Sequence, residues 1–127
     1  MKPLTFEELQ QLDSEQVVFE ACMNHLLEQN VQSCEVIGKD VYCRYRDSEG
    51  RSCAVGYFIP DEAYSKKFEG LIFSRLLLKI KDFSIDARLL DFLKKYEDLL
   101  KELQLFHDYG SFTKLEEIEL LANRLNL

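Results

Sequence analysis

Tryptophan is absent from the 127 residues, proline occurs only twice and glycine only five times. With breakers this sparse, no low-complexity run and no internal repeat, nothing in the chain reads as an interdomain linker. At 46% hydrophobic and 31% charged residues, the composition is that of a globular chain and not a disordered one. Long apolar runs are missing as well. The longest, RLLLKI at 75–80, is far short of the roughly 20 residues that span a bilayer, so no membrane partner is expected. The opening segment MKPLTFEELQQL has no apolar stretch of the secretory kind, and a cytosolic location is expected.

Excess positive charge is also lacking. The net charge is −7, with one base against six acids over residues 1–33, nine against eight over 34–85, and six against nine over 86–127. Binding to duplex nucleic acid draws on clustered Lys and Arg, so a generic role of that kind is not expected. Only the middle segment could offer a local basic surface. An acidic exterior can mimic nucleic acid toward a basic partner, but solubility alone accounts for it.

What is present fits one domain. A chain of this length builds a single core that buries about two thirds of the surface of the unfolded chain. Thr5 with Glu8, and Asp13 with Gln16, have the spacing of capping boxes, which predicts a short helix near 5–11 and a longer one near 14–29. On the second, Val18, Cys22 and Leu26, flanked by Phe19, Met23 and Leu27, form one apolar stripe with His25 beside it.

From Cys34 to Ile59 the period changes to two. Turn signals at Gly38 and Lys39, and again at 47–50, separate three runs rich in Val, Tyr, Ile and Phe, predicting a three-stranded antiparallel meander. A two-residue first loop puts Cys34 opposite Cys43 and Val36 opposite Val41. At the second turn Gly50 suits a left-handed bulge position that would pair Tyr45 with Cys53. In that register Cys34, Val36, Val41, Cys43, Tyr45, Cys53, Val55, Tyr57 and Ile59 face the core, while Tyr42, Arg44, Arg46, Ser52, Ala54, Gly56 and Phe58 face away.

Pro60 followed by Asp61 and Glu62 suits the start of a short helical turn reaching about Phe68, which Gly70 ends. LIFSRLLLKI then reads as a helix too apolar to be exposed on any side. Ser84 caps the longest helix, whose stripe from Leu89 through Phe92, Tyr96, Leu100 and Leu103 to Phe106 runs on to Tyr109 and Gly110. Thr113 with Glu116 opens a last helix carrying Leu115, Ile118, Leu121, Ala122 and Leu125 inward. The fold class is therefore α+β, with N-terminal helices, the meander, and a C-terminal helical layer packed on one sheet face.

Three chemistries are open to these residues. Cys53 with His107 and Asp108 supplies the thiolate, base and orienting carboxylate of a thiol hydrolase or transferase. Neither SCAVG nor FHDYG is a local catalytic signature, however, and a histidine near a helix C-terminus is favoured by the dipole alone. Cys22, His25, Cys34 and Cys43 are residue types that zinc prefers, but no CxxC spacing is present, and strand cysteines among Val and Ile ordinarily pack as small hydrophobes. No metal or other cofactor is expected. A disulfide between Cys34 and Cys43 is geometrically conceivable and disfavoured in a reducing cytosol. The third possibility is a ligand platform: Tyr42, Arg44 and Arg46 alternate on one strand opposite the small Ser52, Ala54 and Gly56, which suits a phosphate, a carboxylate or an unpaired base. Exposed ion pairs over a closely packed helix account equally for the same pattern. Asp61 and Glu62 could pair as general acid and base, but their place at a helix start explains them more simply.

The block YRDSEGRSCAVGYFIPDEAY…EG, together with ELQLFHD, resembles a family of small uncharacterised proteins of bacteriophages and prophage-bearing bacteria. Its pattern is C-x-YR…G…CA-[IV]-G…IPDE-x-Y…EG, followed by LQ-x-x-HD before a final short helix. The match runs from residue 25 to the end. Tyr57 departs from the pattern by standing where a smaller residue is usual, which would narrow a pocket beside Cys53, and the tryptophan of the last segment is absent. The resemblance implies a phage accessory or host-interaction role and no specific activity. The expected function is accordingly non-enzymatic binding of a protein partner, through the acidic helices or the Arg44 and Arg46 face, with the Cys53 hydrolase as the alternative.

Overall fold

Thr5 and Glu8 close the capping box their spacing implies: Thr5 Oγ1 accepts from the Glu8 N–H and Glu8 Oε1 from the Thr5 N–H, both at 3.1 Å. They start helix α1 (Phe6–Gln10). The computed structural model describes residues 2–83, 85–109 and 115–127. Helix α2 (Glu15–Gln29) begins one residue later than expected, because Ser14 and not Asp13 takes the extended cap conformation and accepts from the Val17 N–H at 3.2 Å. It ends at Asn30 in the left-handed region, φ 57°. Its stripe is buried as expected except for Leu27, which is exposed.

Strands β1 (Cys34–Ile37) and β2 (Asp40–Cys43) form the hairpin in the expected register, Cys34 opposite Cys43 and Val36 opposite Val41. Gly38, at φ 64°, supplies the left-handed turn residue. The assignment of faces is overturned in the hairpin, although Tyr45, Cys53, Val55 and Ile59 of the expected core face are buried. Val36 is 73% and Val41 64% exposed, Cys43 is exposed and Cys34 half-buried. Among the described residues the hairpin makes its extensive contacts only within itself. Two four-residue strands without a third have nothing to cover either face beyond their base.

The third strand is also corrected. The second turn forms as its residues imply: Asp47 Oδ1 accepts from the N–H groups of Glu49 and Arg51, both at 2.9 Å, and Gly50 sits at φ 78°. One bridge, Arg46 to Ser52, follows in the expected register. Pairing then stops, because Cys53 caps a short helix, α3 (Ala54–Tyr57), with its Sγ accepting from the Gly56 N–H at 3.3 Å. Ala54, Val55, Phe58 and Ile59 are all fully buried, so Ala54 and Phe58 do not face solvent. A run buried on every side reads the same in a strand and in a helix. Gly56 shows what the helix gains: a Cβ there would overlap the Tyr45 carbonyl, so α3 packs backbone against backbone where strand side chains were expected.

Two 3₁₀ turns, Asp61–Ala63 and Lys66–Phe68, occupy the expected helical turn. Glu69 ties them back to the hairpin's exit. Its carboxylate accepts from the Tyr45 N–H at 2.9 Å, from the Arg46 N–H at 3.1 Å and from the Tyr64 hydroxyl. Tyr45 Oη donates to the Leu71 carbonyl at 2.6 Å.

Helix α4 (Phe73–Lys79) is shorter than the apolar run suggested and is not buried all round: Ile72, just before it, and Leu78 are exposed. The expected longest helix is two, α5 (Ala87–Lys95), capped by Asp86, and α6 (Glu97–Tyr109), which break at Tyr96. The single stripe survives the break, with Leu89, Phe92, Leu93, Tyr96, Leu100 and Leu103 all buried. Helix α7 (Leu115–Arg124) buries Ile118 and Leu121. The expected caps at Ser84 and Thr113 and the stop at Gly110 lie outside the described residues. The fold is α+β with, among the described residues, seven α-helices and a two-stranded antiparallel sheet. Helix α6 runs through the core against α2 and α3, and its C-terminal end meets the base of the hairpin.

Candidate functional site

On α6, Lys101, Gln104, Leu105, Asp108 and Tyr109 recur at three- and four-residue intervals, a second stripe turned away from the buried one. They line one side of a groove of about 450 Å³, whose other wall comprises the 70–74 segment, the Cys43–Tyr45 end of the hairpin and Cys53. A second cavity of about 410 Å³ adjoins it on the hairpin side and shares Cys43, Arg44 and Asp108. The rim is apolar and open, with Ile72 69%, Leu105 53% and Tyr109 85% exposed.

The floor holds a cluster that the sequence did not reveal. Cys43 Sγ, a ring nitrogen of His107 and a carboxylate oxygen of Asp108 lie within 4.8 Å of one another. Hydrogen bonds hold this cluster. His107 Nε2 accepts from the Ser33 N–H at 3.0 Å, and Nδ1 lies 2.7 Å from Asp108 Oδ1. The same Asp108 oxygen accepts from Gln104 Nε2 at 3.0 Å, while Gln104 Oε1 accepts from the Val55 N–H at 3.0 Å. Gln32 Nε2 donates to the carbonyls of His107, at 2.6 Å, and Asp108, at 3.1 Å. The end of α6 is thus pinned to the segment entering β1 and to α3.

These bonds determine what the cluster can do. A backbone N–H can only donate, so His107 Nε2 carries the lone pair and Nδ1 carries the proton, which it gives to Asp108. A cation at Nδ1 would need that nitrogen deprotonated and the proton on Nε2, where it would face the Ser33 N–H. Cys43, His107 and Asp108 are the residues that could hold a metal ion, but as hydrogen-bonded here they favour a proton over a cation. The same geometry denies Cys43 a histidine base. The thiol is pushed up to about 12 by partial burial first, then by its neighbour Cys34 and the charge of Asp108. Cys43 is exposed as a residue, and its sulfur lies within 4.8 Å of the ligand atoms of His107 and Asp108.

The expected catalytic set is divided. His107 and Asp108 are adjacent and bonded, but Cys53 is not in their cluster. It is fully buried as the cap of α3, and burial pushes its thiol up. The weak metal set of Cys22, His25, Cys34 and Cys43 also separates. Cys22 and His25 are buried in α2, where His25 Nε2 donates to the Ser52 carbonyl at 2.9 Å. Its ring stacks on Tyr57 at 4.1 Å, which gives Tyr57 its place.

The expected ligand platform splits in two. Tyr42 and Arg44 line the smaller cavity, Arg44 with its Nε 3.5 Å from Glu35. Arg46 instead serves the fold: Nη1 lies 2.7 Å from Asp61 Oδ1, Nη2 donates to the Ile59 carbonyl, and the guanidinium sits 4.4 Å over the Tyr64 ring. Asp61 is thereby an ion-pair partner and not half of an acid–base pair. Ser52 is buried, its N–H donating to Gln29 Oε1 at 2.9 Å and its carbonyl accepting from Gln29 Nε2 at 2.9 Å. Sequence reasoning missed Ile72, Leu105 and Tyr109. The available signal was that Lys101, Leu105 and Tyr109 follow one another at intervals of four, off the buried stripe. No helix among the described residues is long and apolar enough to cross a membrane. No protein family, curated protein or solved structure matches the chain.

Proposed function

We propose that this chain is a non-enzymatic accessory protein that binds a protein partner in the groove between the hairpin, the 70–74 segment and α6. One observation carries the reading. Three large apolar side chains, Ile72, Leu105 and Tyr109, stand exposed around a cavity of about 450 Å³, while Asp108 on its floor is committed to hydrogen bonds with His107 and Gln104. An exposed apolar rim around a preformed cavity is the usual mark of a binding site. Arg44 and Lys101 at its borders would orient the partner. The motif resemblance supports placing the protein among phage or prophage accessory proteins, and the Arg46 half of the expected basic face drops out of the binding surface.

The test is affinity capture from a host lysate with wild type, Leu105→Glu, Arg44→Glu, and Leu120→Glu, an exposed position on α7. A band retained by wild type and Leu120→Glu but lost by Leu105→Glu and weakened by Arg44→Glu is the expected result. Unchanged capture by Leu105→Glu and Arg44→Glu overturns the groove as the site. One second reading, a thiol hydrolase with Cys43 in place of Cys53, has the proximity of Cys43 to His107 and Asp108 in its favour and the Nδ1 proton of His107 against it. Hydrolysis of model thioesters that Cys43→Ser abolishes would establish it in place of the first.

A further inference from the structure

We propose that Cys34 and Cys43 form a reversible redox modification site, closing to a cross-strand disulfide by exchange with a low-molecular-weight disulfide such as oxidised glutathione. The register carries this inference. The Arg44 N–H donates to the Ser33 carbonyl at 2.8 Å, so Ser33 and Arg44 are a hydrogen-bonded pair, and their neighbours Cys34 and Cys43 are a directly opposed pair without backbone bonds between them. Opposed residues at such positions stand about 4.5 Å apart at Cα with their side chains on one face. That spacing is within the range a disulfide spans without moving the backbone. Cys34 and Cys43 also line one cavity, the smaller one beside the groove. The two-residue turn at Gly38 and Lys39 holds the register at the closed end of the hairpin.

Access separates this pair from the other two cysteines. Cys43 is exposed and Cys34 half-buried on a hairpin that projects from the core, whereas Cys22 and Cys53 are fully buried. The exchange balances in two steps. One hairpin thiolate attacks a sulfur of glutathione disulfide, forming a mixed disulfide and expelling one glutathione thiolate. The second hairpin sulfur, as thiolate, attacks the protein sulfur of that mixed bond and expels the other. Two protein thiols lose two electrons and two protons in all, and one glutathione disulfide becomes two glutathione thiols. In a reducing poise the pair remains as thiols, and reduced glutathione reverses the closure. The site stands on the hairpin alone and does not depend on what the groove binds.

The protein is equilibrated in glutathione buffers from fully reduced to fully oxidised, quenched with acid, and followed by intact mass and peptide mapping. The expected result is a species lighter by two hydrogens whose only bond joins Cys34 to Cys43, restored to thiols by reduced glutathione. Cys34→Ser should halt at the mixed disulfide on Cys43, because the resolving sulfur is gone. In denaturant the preference for this pair should fall, because the register that opposes the sulfurs is lost. Four thiols persisting in fully oxidised buffer, a mapped bond joining any other pair, or no more mixed disulfide in Cys34→Ser than in wild type would each overturn the proposal.

Discussion

The Ser33 N–H donates to His107 Nε2 at 3.0 Å across 74 positions of sequence, and this bond fixes the proton on Nδ1, where it meets Asp108. His25 has the opposite arrangement: its Nε2 faces the Ser52 carbonyl at 2.9 Å and so must carry the hydrogen. The chain's two histidines are therefore neutral donors of opposite tautomer. Long-range ¹⁵N–¹H correlation of the imidazole rings should show an Nδ1–H form for His107 and an Nε2–H form for His25. An Nε2–H form at His107 would free Nδ1 to act as a base or a ligand, and the non-catalytic reading of the cluster would fall with it.

Burial lowers His25 from the usual 6.5 to about 4, against a smaller upward effect of the Ser52 carbonyl. Between these two values the unfolded chain binds a proton that the folded protein does not. Stability from this group is therefore complete above about pH 6.5 and is lost as the pH falls toward 4. The full effect is up to about 3 kcal/mol. Urea midpoints over that window should drop less steeply in His25→Phe, which keeps a ring against Tyr57 and cannot titrate. Parallel slopes for the two proteins would refute the assignment.

Gly56 lies where any Cβ would overlap the Tyr45 carbonyl. Backbone cannot yield there as a flexible side chain could, so Gly56→Ala should cost about 3 kcal/mol, at the upper end for overpacking a core. Gly38→Ala at the exposed hairpin turn meets no atom, and only its φ of 64° opposes it, so it should cost about 1 kcal/mol. Chemical denaturation of the two variants side by side measures the difference, and equal losses would contradict the packing of α3 on Tyr45.

Iodoacetamide at neutral pH should label the folded protein slowly and only on the hairpin. Cys43 is reachable, but its thiol is pushed up to about 12, so its rate should lie at least about tenfold below that of free cysteine. Cys22 and Cys53, buried in α2 and at the cap of α3, should react only in denaturant. Rapid labelling of Cys53 in the native state would restore it as a candidate nucleophile.

Local signals were legible wherever the chain decides its own geometry. The Thr5 and Glu8 box, the hairpin register around Gly38, the left-handed Gly50 and the buried stripe of α5 and α6 all follow from spacing. The break at Tyr96 carried no signal, because no proline or glycine marks it and the stripe continues unaltered. The third strand failed for a related reason. Apolar residues of both parities fill the 53–59 run, so alternation had nothing to discriminate.

The site was legible only in pieces. The opposition of Cys34 and Cys43 could be read from a two-residue turn, and the pairing of His107 with Asp108 from adjacency in the chain. That the two pairs meet, with Cys43 and not Cys53 beside the histidine, depends on where the end of α6 docks. Arg44 and Arg46, two residues apart, came to serve a groove and an ion pair with Asp61 respectively, because Asp61 and the Ile59 carbonyl stand beside only one of them.

Periodicity, capping and turn chemistry, which act over a few neighbouring residues, were sufficient to set α1, α2, the hairpin and its register from the amino acids alone. Which hairpin face would be covered, and which thiol would meet His107 and Asp108, was decided by long-range packing. The Ser33 to His107 and Val55 to Gln104 bonds join segments that no local pattern relates, and burial belongs to the assembled molecule and not to any stretch of it.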